Sequence, residues 1–445
     1  MTEKALLDDA AAQAAAIRLA AAQRDANAHV DDMERLDTYA RSLERIASRA
    51  IQDRQSLSWL VASPLRWLER HTIARRPSLP LLPLSETPKR PRIIFINGCT
   101  EGESQRYRIR NLMSGLRKLG VCCTEIMLSE CRRIFYQNMN PEVVVFFRSL
   151  NTPKNDYSDV IFRLKSLGTR VFFDIDDYVV DPEILDQIDV YRRLNSAGQE
   201  SYKNEVLGYL SMMRLCGRAT AATPHLAIAM DRLGADTRHV TNSFNDAQLA
   251  RSIELNSKSK RRDGKFRISY LSGSATHGQD FKECESALLT FLKVHGNVVF
   301  TLVGFLDLGD HWESVASQVE SIPFTEYVDT LDILNDSDLN IACLDEKSSF
   351  CQSKSELKYF ESALVKTPTL ASRTASYRSA IVDGRNGMLA SSHSEWLEKL
   401  EAMFNSPCLG RAIGNEAHAA VLHRYSDTYA ARQALSAYGI SEHAA

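Results

Sequence analysis

The stretch RIIFINGCTEGESQRYRIRNLMSGLRKLGVCCTEIML, residues 92–128, decides how the rest of the chain is read. RIIFIN (92–97) is an apolar run stopped by Gly98, and SQRYRIRNLMSGLRKLG (104–120) has a helical pattern closed by Gly120. VCCTEIML (121–128) follows as a second apolar run. Strands that are apolar throughout, separated by a helix, predict a parallel sheet covered on both faces. EVVVFFRS (142–149) and RVFFDID (170–176) continue the pattern, and AATPHLAIAMDRLGADTRHVTNSFN (221–245) completes the unit.

Downstream, the charged stretch LNSKSKRRDGK (255–265) reads as an interdomain linker. A second alternation then begins with FRISYLSG and a helix from about Asp280, followed by VVFTLVG (298–304), LNIACL (339–344) and TPTLAS (367–372). A helical region from Ser394 ends the chain. Two successive α/β units imply a cleft between them, with ligand sites beyond the carboxyl ends of the strands.

Upstream, PSLPLLPLSETPKRP (77–91) contains five prolines and can form neither helix nor strand ladder, so it is a semi-rigid spacer. Residues 3–76 contain no glycine and one proline, Pro64. Leu36, Ala40, Leu43, Ala47 (or Ile46) and Ala50 step close to a heptad seam, which predicts an amphipathic, coiled-coil-like helical arm that pairs with itself or with a neighbour, a solvated helical hairpin being the alternative. In residues 56–76, Trp59 and Trp67 are interleaved with Arg66, Arg70, Arg75 and Arg76. That mixture suits either an anionic membrane surface or packing against the body.

Composition narrows the class. The 445 residues are 44% hydrophobic and 25% charged, with a formal net charge of −2, which gives no general attraction to nucleic acid. No run approaches the ~18 apolar residues of a spanning helix. The acid-interrupted start MTEKALLDDAAAQAAA is not a secretory signal. Nine scattered cysteines without CxxC pairs suit a reducing cytoplasm.

The segment SSFCQSKSELKYFESALVKTPTLAS (348–372) carries the chemistry. Ser353 and Glu356 have capping-box spacing, which predicts a helix starting at Ser353. Lys354 then falls in the first turn, where the helix dipole disfavours a cation unless an anion binds there. Free backbone N–H groups with Ser353, Lys354, Ser355 and Lys358 suit a diphosphate. Glu361 follows roughly 10 Å along the axis, within reach of a ribose hydroxyl. The bland alternative is a solvated face with i,i+4 charges.

This segment resembles the donor-binding helix of the retaining GT-B glycosyltransferases, the group-1 or glycogen-synthase-like family, in its bacterial polysaccharide and O-antigen form. The wider family carries two glutamates eight positions apart; the second matches Glu361, and the first falls at Ser353. Gln352, Lys354 or the backbone is left to serve there. YLSGSATHGQDF (270–281) resembles the glycine-rich loop of the donor domain. The family's arginine and lysine are replaced there by Ser272 and His277, while Gly273, Thr276 and His277 suit phosphate. The likeness spans roughly residues 92–430.

The resemblance implies two Rossmann-like domains facing across a cleft: an acceptor domain at 92–254 and a nucleotide-sugar domain at 266–445, with 1–76 as the helical extension. It places Asp174, Asp176 and Asp177 at the cleft as acceptor contacts, with Gly98, Gln105, Tyr107 and Arg108 of NGCTEGESQRYRIR (97–110). Lys354, Glu361 and His277 are the expected catalytic residues. The expected donor is a UDP-, GDP- or dTDP-sugar, and the acceptor a glycan, a lipid-linked group or a protein. No obligatory metal is expected, nor any nucleic-acid partner. The arm is expected to mediate homo-oligomerisation or peripheral contact with the inner face of the membrane.

Two rivals compete. Asp174-x-Asp176 matches the metal-holding DxD of GT-A glycosyltransferases. Loss of the first family glutamate also fits an inactive scaffold.

Overall fold

The computed structural model describes residues 92–99, 102–258, 263–272, 278–304 and 306–441. The expected arm, the proline-rich spacer, Gly273, Thr276 and His277 lie outside these residues.

Twelve strands are described: β1 Ile93–Asn97, β2 Cys123–Met127, β3 Val143–Phe147, β4 Arg170–Ile175, β5 Arg218–Ala221, β6 Asp236–His239, β7 Phe266–Ser272, β8 Val298–Gly304, β9 Val319–Ile322, β10 Leu339–Ala342, β11 Thr369–Ser372 and β12 Met388–Ala390. They form two six-stranded sheets ordered β2-β1-β3-β4-β5-β6 and β12-β11-β10-β7-β8-β9. Every pairing between these strands is parallel. Every residue of β1 and of β3 is buried, as expected of strands covered on both faces. The expected α/β class and the two Rossmann-like lobes are therefore present.

Strand order reverses beside β1 in the first sheet and beside β7 in the second. A crevice opens at such switch points, beyond the carboxyl ends of the strands. Arg148 follows β3, Asp176 and Asp177 follow β4, and Asp280 comes from the helix Gly278–Val294 after β7.

Two boundaries differ from the sequence reading. The helix Asp246–Asn256, opened by a capping box of Asn245 and Gln248, runs into the charged stretch taken as linker. The helix Asp427–Tyr438, placed by sequence in the second domain, packs on the first. Its Ala430, Ala431, Ala434, Leu435 and Tyr438 share one core with Ile93, Phe95, Val145 and Leu112. Gly115 makes the approach possible, since a Cβ there would lie 2.0 Å from the carbonyl oxygen of Asp427. Lys118 and Ser114 then bond the Asp427 carboxylate at 2.6 and 2.8 Å. The apolar periodicity of this helix says that one face is buried, not against which lobe.

Candidate active site

A cavity of about 660 Å³ lies where the lobes meet. The second lobe contributes Lys354, Ser355, Leu357, Lys358, Glu361 and Asp280 to its lining, and the first contributes Tyr107, Arg148, Asp176, Asp177, Tyr202 and Tyr209.

The segment expected to form the donor-binding helix is not built as the capping box predicts. A short helix, Ser349–Ser353, ends in extended backbone at Lys354, and the main helix begins at Leu357 with Glu356 as its N-cap. Ser353 is fully buried; its hydroxyl donates to the Ser349 carbonyl and its own carbonyl accepts from Thr223. Ser353 therefore holds the two lobes together and does not face the cavity. The Glu356 carboxylate accepts from the Tyr425 hydroxyl at 2.6 Å instead of completing a capping box. Gln352 is also committed, donating to the Glu346 carbonyl and accepting from the Ala375 N–H.

Lys354 consequently sits in a break between helices, not in a first turn. Its Nζ lies 3.0 Å from Asp280 Oδ2. Burial works against its charge, but Asp280, Cys351 and Asp177 outweigh that and hold the ammonium above its ordinary pKa. Lys358 is four residues on, its Nζ 5.6 Å from the Tyr270 ring centroid. Burial, with the Lys354 charge second, pulls its pKa down. A half-buried ammonium beside a second one is a site that gains from an anion. Ser355 accepts from the Asn242 side chain at 2.9 Å, which ties this break to the first lobe.

Glu361 projects from the helix Leu357–Leu364 to the lobe junction. Its Oε1 accepts from the Tyr107 hydroxyl at 2.5 Å and from Gln248 Nε2 at 3.1 Å. Arg106 Nη2 donates to the same hydroxyl at 2.8 Å, and the guanidinium lies 3.7 Å from the Tyr327 ring and 4.0 Å from the Tyr107 ring. Burial first and the Glu361 charge second push the Tyr107 hydroxyl well above its usual pKa, so it remains a donor. Tyr107 was expected as an acceptor contact; it binds Glu361 of the second lobe across the junction. Both Arg106 and Tyr107 lie in a π-helical segment, Arg106–Arg110, a geometry that recurs at functional sites.

The aspartate cluster divides in two. Asp174 lies within β4 and is nearly sealed from solvent; Arg108 Nε and Nη2 donate to its two oxygens at 2.9 and 2.6 Å. Thr220 adds a third bond, and Arg108 also reaches the Val240 carbonyl and Asn242. The pair lies behind the cavity wall, which corrects the expectation that Asp174 and Arg108 touch an acceptor. It also removes the DxD geometry, because both Asp174 oxygens are already bonded and Asp176 turns to a different arginine.

Asp176 and Asp177 do line the cavity. Arg148 binds both, Nε to Asp176 at 2.6 Å and Nη2 to Asp177 at 2.5 Å. Burial opposes the Asp176 charge, but Arg148 overcomes it and holds that carboxyl low. At Asp177, burial and then the Asp176 charge push the carboxyl up. Arg148 has φ +38°, a region costly for a side-chain-bearing residue, and such strain concentrates at functional sites. Gly98 allows the turn: a Cβ there would meet the Arg148 carbonyl oxygen at 2.3 Å. Gly98 therefore packs against the backbone of Arg148 and is not among the residues lining the cavity. Gln105 is buried with its Oε1 unpaired, outside the cavity lining.

Sequence reading passed over Arg148, Asp280, Arg106, Asn242 and Gln248. Arg148 was visible at a strand's carboxyl end, and Asp280 in the first turn after the glycine-rich loop. The other three come from separate elements that only folding unites. Among the described residues no cluster of three or more His, Cys, Asp or Glu side chains is arranged to hold a metal ion. None of the described helices is long and apolar enough to cross a membrane.

Residues 285–436 match the glycosyl transferase-like family. Comparison with functionally curated proteins gives no match. A glycosyltransferase from Rickettsia africae ESF-5 superposes with TM-score 0.51 at 13% identity, over 78% of this chain and 97% of that one. Anabaena Alr3699/HepE, solved with UDP, gives 0.50 at 12% identity, over 78% and 98%. A S. aureus TarM variant, also solved with UDP, gives 0.45 at 12% identity; the overlap takes in 66% of this chain and only 55% of TarM. At such identities the likeness is one of fold. This chain carries a glycosyl transferase-like domain at residues 285–436, set in a two-lobed GT-B fold.

Proposed function

We propose that the protein transfers a sugar, with retention of anomeric configuration, from a nucleotide-sugar to a glycan, lipid-linked or protein acceptor. One observation carries this reading: Lys354, Lys358 and Glu361 converge on a single interlobe cavity whose opposite wall presents Asp176 and Asp177. The two ammonium groups are placed to hold the diphosphate and to stabilise charge developing on it as the sugar leaves. Glu361, steadied by Tyr107 and Gln248, is placed for the nucleotide ribose. Asp176 and Asp177 are placed for acceptor hydroxyls. Closure of the lobes would exclude water and align donor with acceptor. The acid-base and electrostatic work falls to these side chains, with no obligatory metal.

Retention rests on the likeness of 348–372 to the retaining group-1 enzymes. UDP is favoured among the nucleotides because structural neighbours were solved with it. Gly273, Thr276 and His277 remain proposed phosphate contacts. The proposed setting is cell-surface polysaccharide or glycoconjugate synthesis, on the O-antigen pattern, in the cytoplasm at the inner face of the membrane. Residues 1–76 are the proposed means of self-association or membrane contact; their deletion should alter oligomeric state or vesicle binding and spare donor hydrolysis.

The test is a thermal-shift screen against UDP, GDP and dTDP and their sugars, followed by transfer assays and NMR of the anomeric product. Lys354→Ala and Glu361→Ala should each lower turnover by about 10²-fold or more, and excess chelator should leave the rate unchanged. Full activity in both variants would refute the site. A wild-type protein that binds none of the nucleotides favours the inactive scaffold.

A further inference from the structure

The donor-side wall holds a carboxylate that neither the motif reading nor the family likeness assigns. Asp280 lies in the first turn of the helix Gly278–Val294 and is 4% exposed, yet it borders the cavity. Its Oδ2 accepts from Lys354 Nζ at 3.0 Å, and its Oδ1 accepts from the Cys351 thiol at 3.2 Å. The Asp345 N–H approaches the same oxygen at 3.5 Å. One buried carboxylate is thus bonded to the last turn of the helix Ser349–Ser353, at Cys351, and to Lys354 just beyond it.

Lys354 needs such a partner. Its backbone is extended (φ −64°, ψ 142°), so no helical turn fixes where its side chain points. The Phe350 ring lies 5.1 Å from its Nζ and packs without directing it. The titratable groups around Lys354 are Asp280 from one helix, Asp177 from the end of β4, Lys358 from the next helix and the neutral Cys351 thiol. Of these, Asp280 is the carboxylate within ion-pair distance. Ser353, where the likeness would place an acidic residue, faces the lobe contact instead.

We propose that Asp280 is the positioning residue of the donor site: it supplies, from a different helix, the carboxylate missing at position 353, and it aims Lys354 at the sugar end of the diphosphate. The inference rests on the glycosyltransferase reading above. Lys358 and Glu361 remain to hold the nucleotide, and Asp280→Asn leaves the Lys354 ammonium in place while removing its aim, so loss of Asp280 should affect turnover far more than nucleotide affinity.

The experiment compares wild type, Asp280→Asn and Asp280→Glu in the full chain. UDP, GDP and dTDP serve as binding probes, and hydrolysis of UDP-glucose, GDP-mannose and dTDP-glucose as the turnover readout. In Asp280→Asn, kcat should fall about 10²-fold, as expected when a reacting group is misplaced, while Kd for the nucleotide that binds wild type stays within about threefold, a change under 1 kcal/mol. The alkaline limb of the pH profile should move to lower pH, because Lys354 loses the neighbour that favours its charged form. Asp280→Glu should recover part of the rate and return the limb. Unchanged kcat and an unmoved limb in Asp280→Asn overturn the proposal and leave the glycosyltransferase reading intact. Equal losses in kcat and affinity, with no recovery in Asp280→Glu, show a structural role and also overturn it. Failure of wild type to bind any nucleotide overturns the parent reading, and this one with it.

Discussion

Two arginine–aspartate clusters stand close together in the first lobe and do different work. Arg108 and Asp174 have side chains 1% and 3% exposed, whereas Arg148, Asp176 and Asp177 are 18%, 14% and 36% exposed at the cavity. In the first cluster every carboxylate oxygen has a protein partner; Thr220 completes it. In the second, one guanidinium is shared between two carboxylates, and the backbone carrying it is strained. The same residue types thus make a structural pin where donors and acceptors balance, and a candidate binding surface where they do not. Balance of partners, not the presence of charge, separates the two.

That contrast can be broken most directly at the pin. Asp174→Ala leaves the Arg108 guanidinium buried without its counter-charge, which should cost about 3–5 kcal/mol. Denaturant unfolding would show a large fall in midpoint, or the protein would fail to accumulate folded. A stable Asp174→Ala protein that has lost only acceptor transfer would reverse the assignment.

Arg148→Gly probes the other cluster. Glycine accepts φ +38° without penalty, but Asp176 and Asp177 lose their shared counter-charge, so the fold should lose stability, by less than in Asp174→Ala because these side chains are more exposed. Transfer should also drop about 10²-fold, since Asp176 and Asp177 lose the group that orients them. Wild-type transfer rates in this variant would mean that the second cluster is as structural as the first.

A smaller and more discriminating effect lies between the two aspartates themselves. The Asp176 pKa is lowered, so its charge stabilises the fold at neutral pH and that contribution disappears as pH falls through the lowered value. The Asp177 pKa is raised, so stability is lost as pH rises from the ordinary carboxylate range up to the raised value and stays lost above it. At pH 7, Asp176→Asn should therefore lower the Tm and Asp177→Asn should hold or raise it. Both differences should shrink in acid, where wild-type carboxyls are also neutral. Thermal scans from pH 3 to 7 check this, and equal shifts of one sign would contradict the asymmetry.

Much of the molecule was legible in one dimension. Apolar runs such as RIIFIN and EVVVFFRS could only be strands buried on both faces, and their alternation with helical segments fixed the α/β class and the two lobes. Lys358 and Glu361 do share one helix, but Lys354 was singled out by a first turn that does not form, and the family likeness of the segment carried its selection. Local spacing misled at Ser353: the capping-box pattern was present, but Glu356 found Tyr425 instead, and the helix began four residues later. A cap is worth only about 1 kcal/mol, so a tertiary partner readily displaces it.

The amino-acid order by itself determined which segments become strands and helices, because periodicity records how each must bury its apolar face. Only the tertiary structure decided which side chains meet. It seated Asp174 on Arg108 and Asp176 on Arg148, set Asp280 against Lys354, and returned the last helix to the first lobe. Those choices depend on groups dozens to hundreds of positions apart in the chain, where burial makes an unpaired charge costly and partner selection a matter of three-dimensional proximity.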